Sequence, residues 1–308
     1  MITARELTKS FGAVWALSGV SFDVSGGEIF GFVGPNGAGK TTSMRILAGL
    51  MAPSSGTASI AGVDVRECPE EARERIGYMP DFFGVYDQLT AGEYLAFYAS
   101  CYRIPRYRID RVVSDLLELI GLPEKRNLPV DSLSRGMKQR LCLARALVHD
   151  PPVLLLDEPA SGLDPRARIE MRELLKELQD MGKTIVLSSH ILPELAEMCT
   201  TFGIIDQGRM VATGPLESLT SRRDHRRVQV KLVNDLDESL ALIAAVPAVI
   251  ACQRRGDVVE LEYEGGDVEC ARLLRQLVNA GVQLLSFTPV ETSLEEVFMR
   301  TLSEPSAV

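Results

Sequence analysis

The chain has 308 residues, 46% of them hydrophobic and 24% charged, an ordinary globular mix whose length suggests about two domains rather than a disordered or fibrous protein. A net charge of -9 and an isoelectric point near 5.1 argue against a nucleic-acid binder, whose phosphate contacts need a basic face. Six scattered cysteines without a Cys-x-x-Cys pair, a polar N-terminus and a longest apolar run of 13 residues, Leu240 to Cys252, broken by Pro247, point away from a zinc framework, a secretory leader and a bilayer span. A soluble cytosolic chain with reduced thiols is expected.

From residue 1 to about 215, short β-type runs alternate with helical ones. EIFGFV (Glu28 to Val33), PVLLLD (Pro152 to Asp157) and TIVLSS (Thr184 to Ser189) read as buried strands, and continuously apolar strands between helices predict a parallel sheet covered on both faces. Between about residues 82 and 148 the chain turns mostly helical: TAGE (Thr90 to Glu93) is a capping box, and RVVSDLLELIGL carries an amphipathic face. In DPRARIEMRELLKELQDMG, Asp164 can cap, Pro165 suits the first turn, and Met171, Leu174, Leu175, Leu178 and Met181 share a face before Gly182 stops the helix.

SRRDHRR (Ser221 to Arg227) then interrupts the periodicity and reads as a solvated linker, so that residues 1–220 form one domain and 228–308 a second. The second domain reads strand (VQVKLV), helix (about 237–245), two strands meeting near Arg255-Gly256, helix (about 267–280) and strand (QLLSFTPV), the α+β ferredoxin-like βαββαβ order, with a last short helix SLEEVFMRTL.

The chemistry concentrates in the first domain. Gly34-Pro35-Asn36-Gly37-Ala38-Gly39-Lys40-Thr41-Thr42 matches G-x-x-x-x-G-K-[ST] between a predicted strand and a helix. Its glycines let backbone N–H groups converge on phosphate oxygens, Lys40 would reach the β- and γ-phosphates, and the Thr41 hydroxyl would ligate Mg2+. At the end of VLLLDE, Asp157 can hold the metal and Glu158 can act on the attacking water as general base.

With these motifs in this order, the chain resembles the ATP-binding subunit of an ABC transporter through residues 1 to about 215. The resemblance implies an α/β P-loop NTPase fold with a helical subdomain and an antiparallel β-subdomain. LSRGMKQR (Leu133 to Arg140) resembles the family's signature segment, usually Leu-Ser-Gly-Gly-Gln; it keeps Ser134, Gly136 and the later Gln139-Arg140 and carries Arg135 and Met137 at two usual positions. By the same resemblance SGLD (Ser161 to Asp164) is the D-loop, with Asp164 at the nucleotide, and His190 is the switch histidine. Phe11 falls where a ring stacks on adenine, with Trp15 nearby. Where the family commonly has glutamine, this chain has Asp81, which can still touch Mg2+ or its water. Phe82, Phe83 and Tyr86 beside it are either core of the helical insert or a surface for a partner.

The resemblance further implies ATP and Mg2+ as ligands and a dimer, with itself or with a related cassette, in which each ATP lies between one chain's cradle and the other's signature segment. It also implies a separate transmembrane permease subunit that keeps the protein at the inner face of the cell membrane. The C-terminal residues, with TPVETSLEEVF, resemble the appended domain of the drug- and antibiotic-export branch. Two other classes stay open at this point. A soluble ABC ATPase acting on the ribosome or DNA would carry two cassettes or long coiled-coil inserts and basic surface. A different phosphate-loop enzyme would lack the LSRGMKQR and His190 set.

Overall fold

The computed structural model describes residues 1–81, 84, 88–189, 192–215, 218, 225–233, 236–256 and 258–290. Phe82, Phe83, Tyr86, His190, Ser221 to Asp224 and the expected terminal helix SLEEVFMRTL lie outside the described residues. The chain divides into two compact units between residues 216 and 217.

The first unit opens with the antiparallel strands β1 (Ile2–Phe11) and β2 (Val14–Val24), followed by β3 (Ile29–Val33) and α1 (Lys40–Leu47). Then come β4 (Ser55–Ile60), β5 (Val63–Asp64), α2 (Pro69–Glu74) and β6 (Ile76–Met79). A helical stretch follows: α3 (Ala91–Cys101), α4 (Arg106–Leu119) and α5 (Arg135–Leu147). The chain returns to alternation with β7 (Val153–Asp157), α6 (Pro165–Asp180), β8 (Thr184–Ser189), α7 (Leu192–Met198), β9 (Thr201–Asp206) and β10 (Arg209–Pro215).

The three runs expected to be buried strands are β3, β7 and β8, and every residue in them is buried. They form the middle of a six-stranded sheet in the order β10-β9-β3-β8-β7-β6, parallel except for β10. A strand enclosed on both faces has no solvent side, so its apolar residues run on without alternation. A second, antiparallel sheet has the order β2-β1-β4-β5. Phe22 of β2 stacks on Phe30 of β3 at 5.3 Å and tilts against Phe32 at 5.5 Å, so three rings join the two sheets in one core. Each such buried ring contributes about 2 kcal/mol through area removed from water.

The capping box forms as the sequence predicts: Thr90 Oγ1 accepts from Glu93 N at 3.2 Å while Glu93 Oε2 accepts from Thr90 N at 2.8 Å, fixing the start of α3. On α6, Met171, Leu174, Leu175 and Leu178 are buried, but Met181 is 58% exposed. The helix ends at Asp180, and Gly182 N donates to Gln179 O, so the chain turns away one residue before Met181 could join the packed face.

The second unit contains β11 (His225–Leu232), α8 (Leu236–Ala244), β12 (Val249–Arg255), β13 (Val258–Glu264), α9 (Asp267–Asn279) and β14 (Leu284–Val290). Its sheet order, β12-β13-β11-β14, is wholly antiparallel, which is the split βαββαβ arrangement. Val228, Val230, Val259 and Leu261 face Ile243, Leu273 and Leu277 in its core. The solvated linker expected up to Arg227 is shorter, because β11 already begins at His225. Carboxylates explain the change: Arg227 Nη1 donates to Glu260 Oε1 on β13 at 2.6 Å, and Arg226 Nη1 donates to Asp267 Oδ1 on α9 at 2.5 Å. Among the described residues no helix is long and apolar enough to cross a membrane.

Candidate functional site

Parallel strands β3, β8 and β7 lie side by side, so their carboxyl ends share one edge of the sheet, where open α/β sheets leave a crevice. The loop from Gly34 to Gly39 leaves β3 at that edge and enters α1. Gly39 caps α1 at φ 113°, and a Cβ there would come 2.6 Å from Leu17 Cδ2 and 2.8 Å from Ala16 O of β2. Only glycine takes that backbone with that neighbour. A Cβ on Gly34 would run into Ile205 O of β9. Ala38 N donates to Pro35 O at 3.1 Å, and Ala38 O accepts from Gly208 N at 2.9 Å, which anchors the loop to the β9–β10 turn.

Within α1 the bond nearest the N-terminus runs from Ser43 N to Gly39 O at 2.9 Å, leaving the amides of Lys40, Thr41 and Thr42 without an intrahelical acceptor. Those amides and the positive end of the helix make an anion cradle. Pro35, Asn36, Gly37 and Thr41 are exposed, and Thr42 is half-buried. Lys40 is 6% exposed, and its Nζ donates to Gly34 O at 2.6 Å and to Pro35 O at 3.1 Å, so the ammonium is folded back over the loop's own carbonyls. Burial lowers its pKa, opposed by the negative charges of Glu158 and Asp157.

The acidic pair closes the other side. Asp157 ends β7 at 1% exposure, and its Oδ1 accepts from Ser188 Oγ of β8 at 2.6 Å. Its Oδ2 is buried with no hydrogen-bond partner among the described residues. Leaving a charged oxygen unsatisfied costs about 1–3 kcal/mol or more, and a hard cation is the ligand that would satisfy it. No group of three or more His, Cys, Asp or Glu residues forms a metal cage among the described residues. Mg2+ does not call for such a cage, because it is usually held by one or two protein oxygens together with phosphates. Asp157 Oδ2 therefore fits a hard cation such as Mg2+.

Glu158 sits at φ 52°, a left-handed conformation unusual for a residue with a side chain. Its backbone is held at both ends: the N–H donates to Ser188 Oγ at 3.0 Å and Ser188 O at 3.2 Å, and the carbonyl accepts from Ser161 N at 3.1 Å and Gln139 Nε2 at 3.5 Å. Strain of this kind persists where the surroundings over-determine it, and it gathers at active sites. Ser188 was not singled out from the sequence, and Gln139 was noted there only as a residue that the signature segment keeps, not as a partner of Glu158. The signal for Ser188 was present, since two serines end the otherwise apolar TIVLSS.

The remaining candidate residues fall in three places. Phe11 ends β1 in a hairpin whose Phe11, Val14 and Trp15 are 51%, 67% and 59% exposed, with Lys9 Nζ 5.3 Å from the Phe11 ring centre. Trp15 adjoins Ala16, whose carbonyl abuts Gly39, so this apolar patch belongs to the same neighbourhood as the loop. Asp81 is exposed two residues beyond β6, at the same edge of the sheet. Ser134 caps α5, with its Oγ accepting from Met137 N at 3.3 Å. Gly136 lets α5 approach α6, where a Cβ would come 3.0 Å from Ala167 Cβ. Asp164 caps α6 through Ala167 N at 2.9 Å. His190, one residue past the end of β8, lies outside the described residues.

A glycine loop between a central parallel strand and a helix, with an orphaned carboxylate at the end of a nearby strand, defines a P-loop nucleoside triphosphatase. The family model described as ABC transporter matches residues 17–161, and that described as ATP-binding protein DrrA1-3-like, C-terminal domain, matches residues 214–302. The linearmycin resistance ATP-binding protein LnrL of Bacillus subtilis (strain 168) is 32% identical over 306 residues, 97% of each chain. The Nod factor export ATP-binding protein I of Rhizobium meliloti (strain 1021) is 37% identical over 300 residues, 97% of this chain and 87% of that one. Among solved structures, the dimeric post-hydrolysis state of the ATP-binding cassette MJ0796 bound to ADP and Pi aligns with a TM-score of 0.64 at 26% identity. The alignment covers 70% of this chain and 99% of that one. The chain belongs to the ATP-binding proteins of ABC transporters and is an ABC ATPase.

Proposed function

We propose that this chain is the ATP-hydrolysing cassette of an export transporter, closing as a dimer around ATP to drive a separate membrane permease. The observation that supports the reading is the buried Oδ2 of Asp157, without a hydrogen-bond partner among the described residues, beside the Lys40 cradle. Residues Gly34 to Thr42 bind the phosphates, Lys40 exchanging its loop carbonyls for β- and γ-phosphate oxygens. Asp157 and Thr41 hold Mg2+, with Asp81 at the rim. Bound Mg2+ supplies charge neutralisation at the β- and γ-phosphates. Glu158 takes the proton of the attacking water, His190 and Asp164 line the reacting end, and Phe11 stacks on adenine.

Ser134 and Gly136 meet the nucleotide of a second cassette, a homodimer or a related copy, in keeping with the dimeric MJ0796 cassette. Hydrolysis is then conditional on closure, and closure moves the permease, a population shift driven by differential binding. Residues 1–220 form the cassette, and the C-terminal unit is an accessory domain whose simplest role is dimer contact. Relatives named for linearmycin resistance and Nod factor export support outward transport of an antibiotic, drug-like or lipid-like molecule. The protein sits in the cytoplasm, peripheral on the inner face of the membrane through its permease. A net charge of -9 with a single cassette disfavours ribosomes and DNA as partners.

The test is Glu158→Gln. ATP binding is retained, turnover falls at least a hundredfold, and gel filtration with Mg-ATP shows an accumulated dimer. Turnover at the parent rate removes the general-base assignment.

A further inference from the structure

Arg135 departs from the glycine usual in the signature segment, and the fold gives it a task. It is the first residue of α5, with no acidic residue in that turn, so a cation stands at the positive end of a helix, an unfavourable place unless other contacts compensate. Its Nη2 donates to Ser161 O at 3.0 Å. Its guanidinium covers Gly162 so closely that a Cβ on that glycine would come 2.7 Å from Nη1 and nearer still to Nη2. Gly162 itself has φ +67°, a backbone that favours glycine at the D-loop turn and leaves the guanidinium room to lie over it.

One turn along the same face of α5 lies Gln139, 3% exposed, whose Nε2 donates to Glu158 O. Ser161 N donates to that same carbonyl. Two side chains of α5, four residues apart, therefore hold the first and last residues of the turn from Glu158 to Ser161. Glu158 keeps its left-handed backbone inside this grip.

We propose that Arg135 is a positioning residue for Glu158: it clamps the Glu158–Gly162 turn to the head of the signature helix in the same chain, so that ATP turnover depends on how α5 is seated. The purpose of the clamp rests on the assignment of Glu158 as general base. Because Ser134 caps the same helix, the clamp ties the proposed phosphate contact of α5 to the hydrolytic carboxylate of its own chain.

The experiment uses the full-length chain and its Arg135→Ala, Arg135→Lys and Glu158→Gln variants, measuring Mg-ATP hydrolysis and amide hydrogen exchange. Alanine is a good helix former and removes a cation from the positive helix end, so α5 is retained. Arg135→Ala lowers kcat about tenfold with KM for ATP within about twofold, the pattern of a misplaced group rather than lost binding. Arg135→Lys recovers part of the loss, since an ammonium reaches the Ser161 carbonyl without covering Gly162. Exchange quickens over residues 158–163 and stays unchanged over 34–42. Parent-like kcat, parent-like exchange over 158–163, or a loss expressed in KM overturns the clamp. Parent-rate turnover by Glu158→Gln instead overturns the general-base assignment, while the exchange data still judge the clamp.

Discussion

Gly37 and Gly39 lie two residues apart in the phosphate loop, and both have left-handed backbones, φ +83° and φ +113°, yet their surroundings differ. A Cβ on Gly37 meets nothing within 4 Å, whereas one on Gly39 comes 2.6 Å from Leu17 Cδ2 and 2.8 Å from Ala16 O. Alanine at either site adds about 1–2 kcal/mol of left-handed strain. It also recovers about 0.4–1 kcal/mol from the unfolded chain, equally at both positions. Only Gly39→Ala adds overpacking against a backbone oxygen, about 1–3 kcal/mol. Gly39→Ala is therefore expected to be less stable than Gly37→Ala by about 1–3 kcal/mol. Urea unfolding followed by the fluorescence of Trp15, the single tryptophan, reads this unit directly because Trp15 adjoins Ala16. The denaturant slopes should agree, and the midpoints should separate. Nucleotide affinity should fall further for Gly39→Ala, because its Cβ pushes the first turn of α1 away from β2. A stability difference under about 0.5 kcal/mol would refute the claim that close approach, rather than φ alone, demands glycine at position 39.

Thr90→Ala removes the hydroxyl that accepts from Glu93 N, and should cost about 1 kcal/mol of thermal or urea stability, with little change in ATP affinity. His149 stacks on Tyr102 at 3.8 Å, its Nε2 bonds Ile76 O at 3.1 Å, and its Nδ1 is buried without a partner among the described residues; burial holds its pKa below 6.5. Just below pH 6.5 the unfolded chain binds a proton that the folded chain refuses, so stability falls as pH drops through that window. His149→Gln should remove this part of the slope, as read by melting temperature between pH 7 and about 5; an unchanged slope would show that the ring charges freely in the fold.

Much of the cassette was legible in the sequence because its signals are local. The apolar runs that became β3, β7 and β8 need no partner to be recognised, and the capping box at Thr90 is complete within four residues. The second unit was legible for the same reason, its strands and helices alternating with clear turn residues. Legibility failed where the outcome hung on something distant. Met181 keeps the helical spacing of its neighbours, but the helix stops before it. Arg226 and Arg227 look like solvated charge until Asp267 and Glu260 come beside them in the folded unit.

The same division runs through the site. The sequence alone determined that a glycine loop with Lys40 and Thr41 follows a buried strand, and that Asp157 and Glu158 end another, because glycine backbone freedom and strand periodicity act over a few residues. Only the tertiary structure decided that Ser188 holds Asp157 from 31 residues away, that Gln139 reaches Glu158 across 19, and that Arg135 bridges 26 to Ser161. Those contacts depend on β8 inserting between β3 and β7 and on α5 lying against the turn after β7. Strand order and helix placement are set by the packing of the whole core, and no short stretch of sequence carries that information.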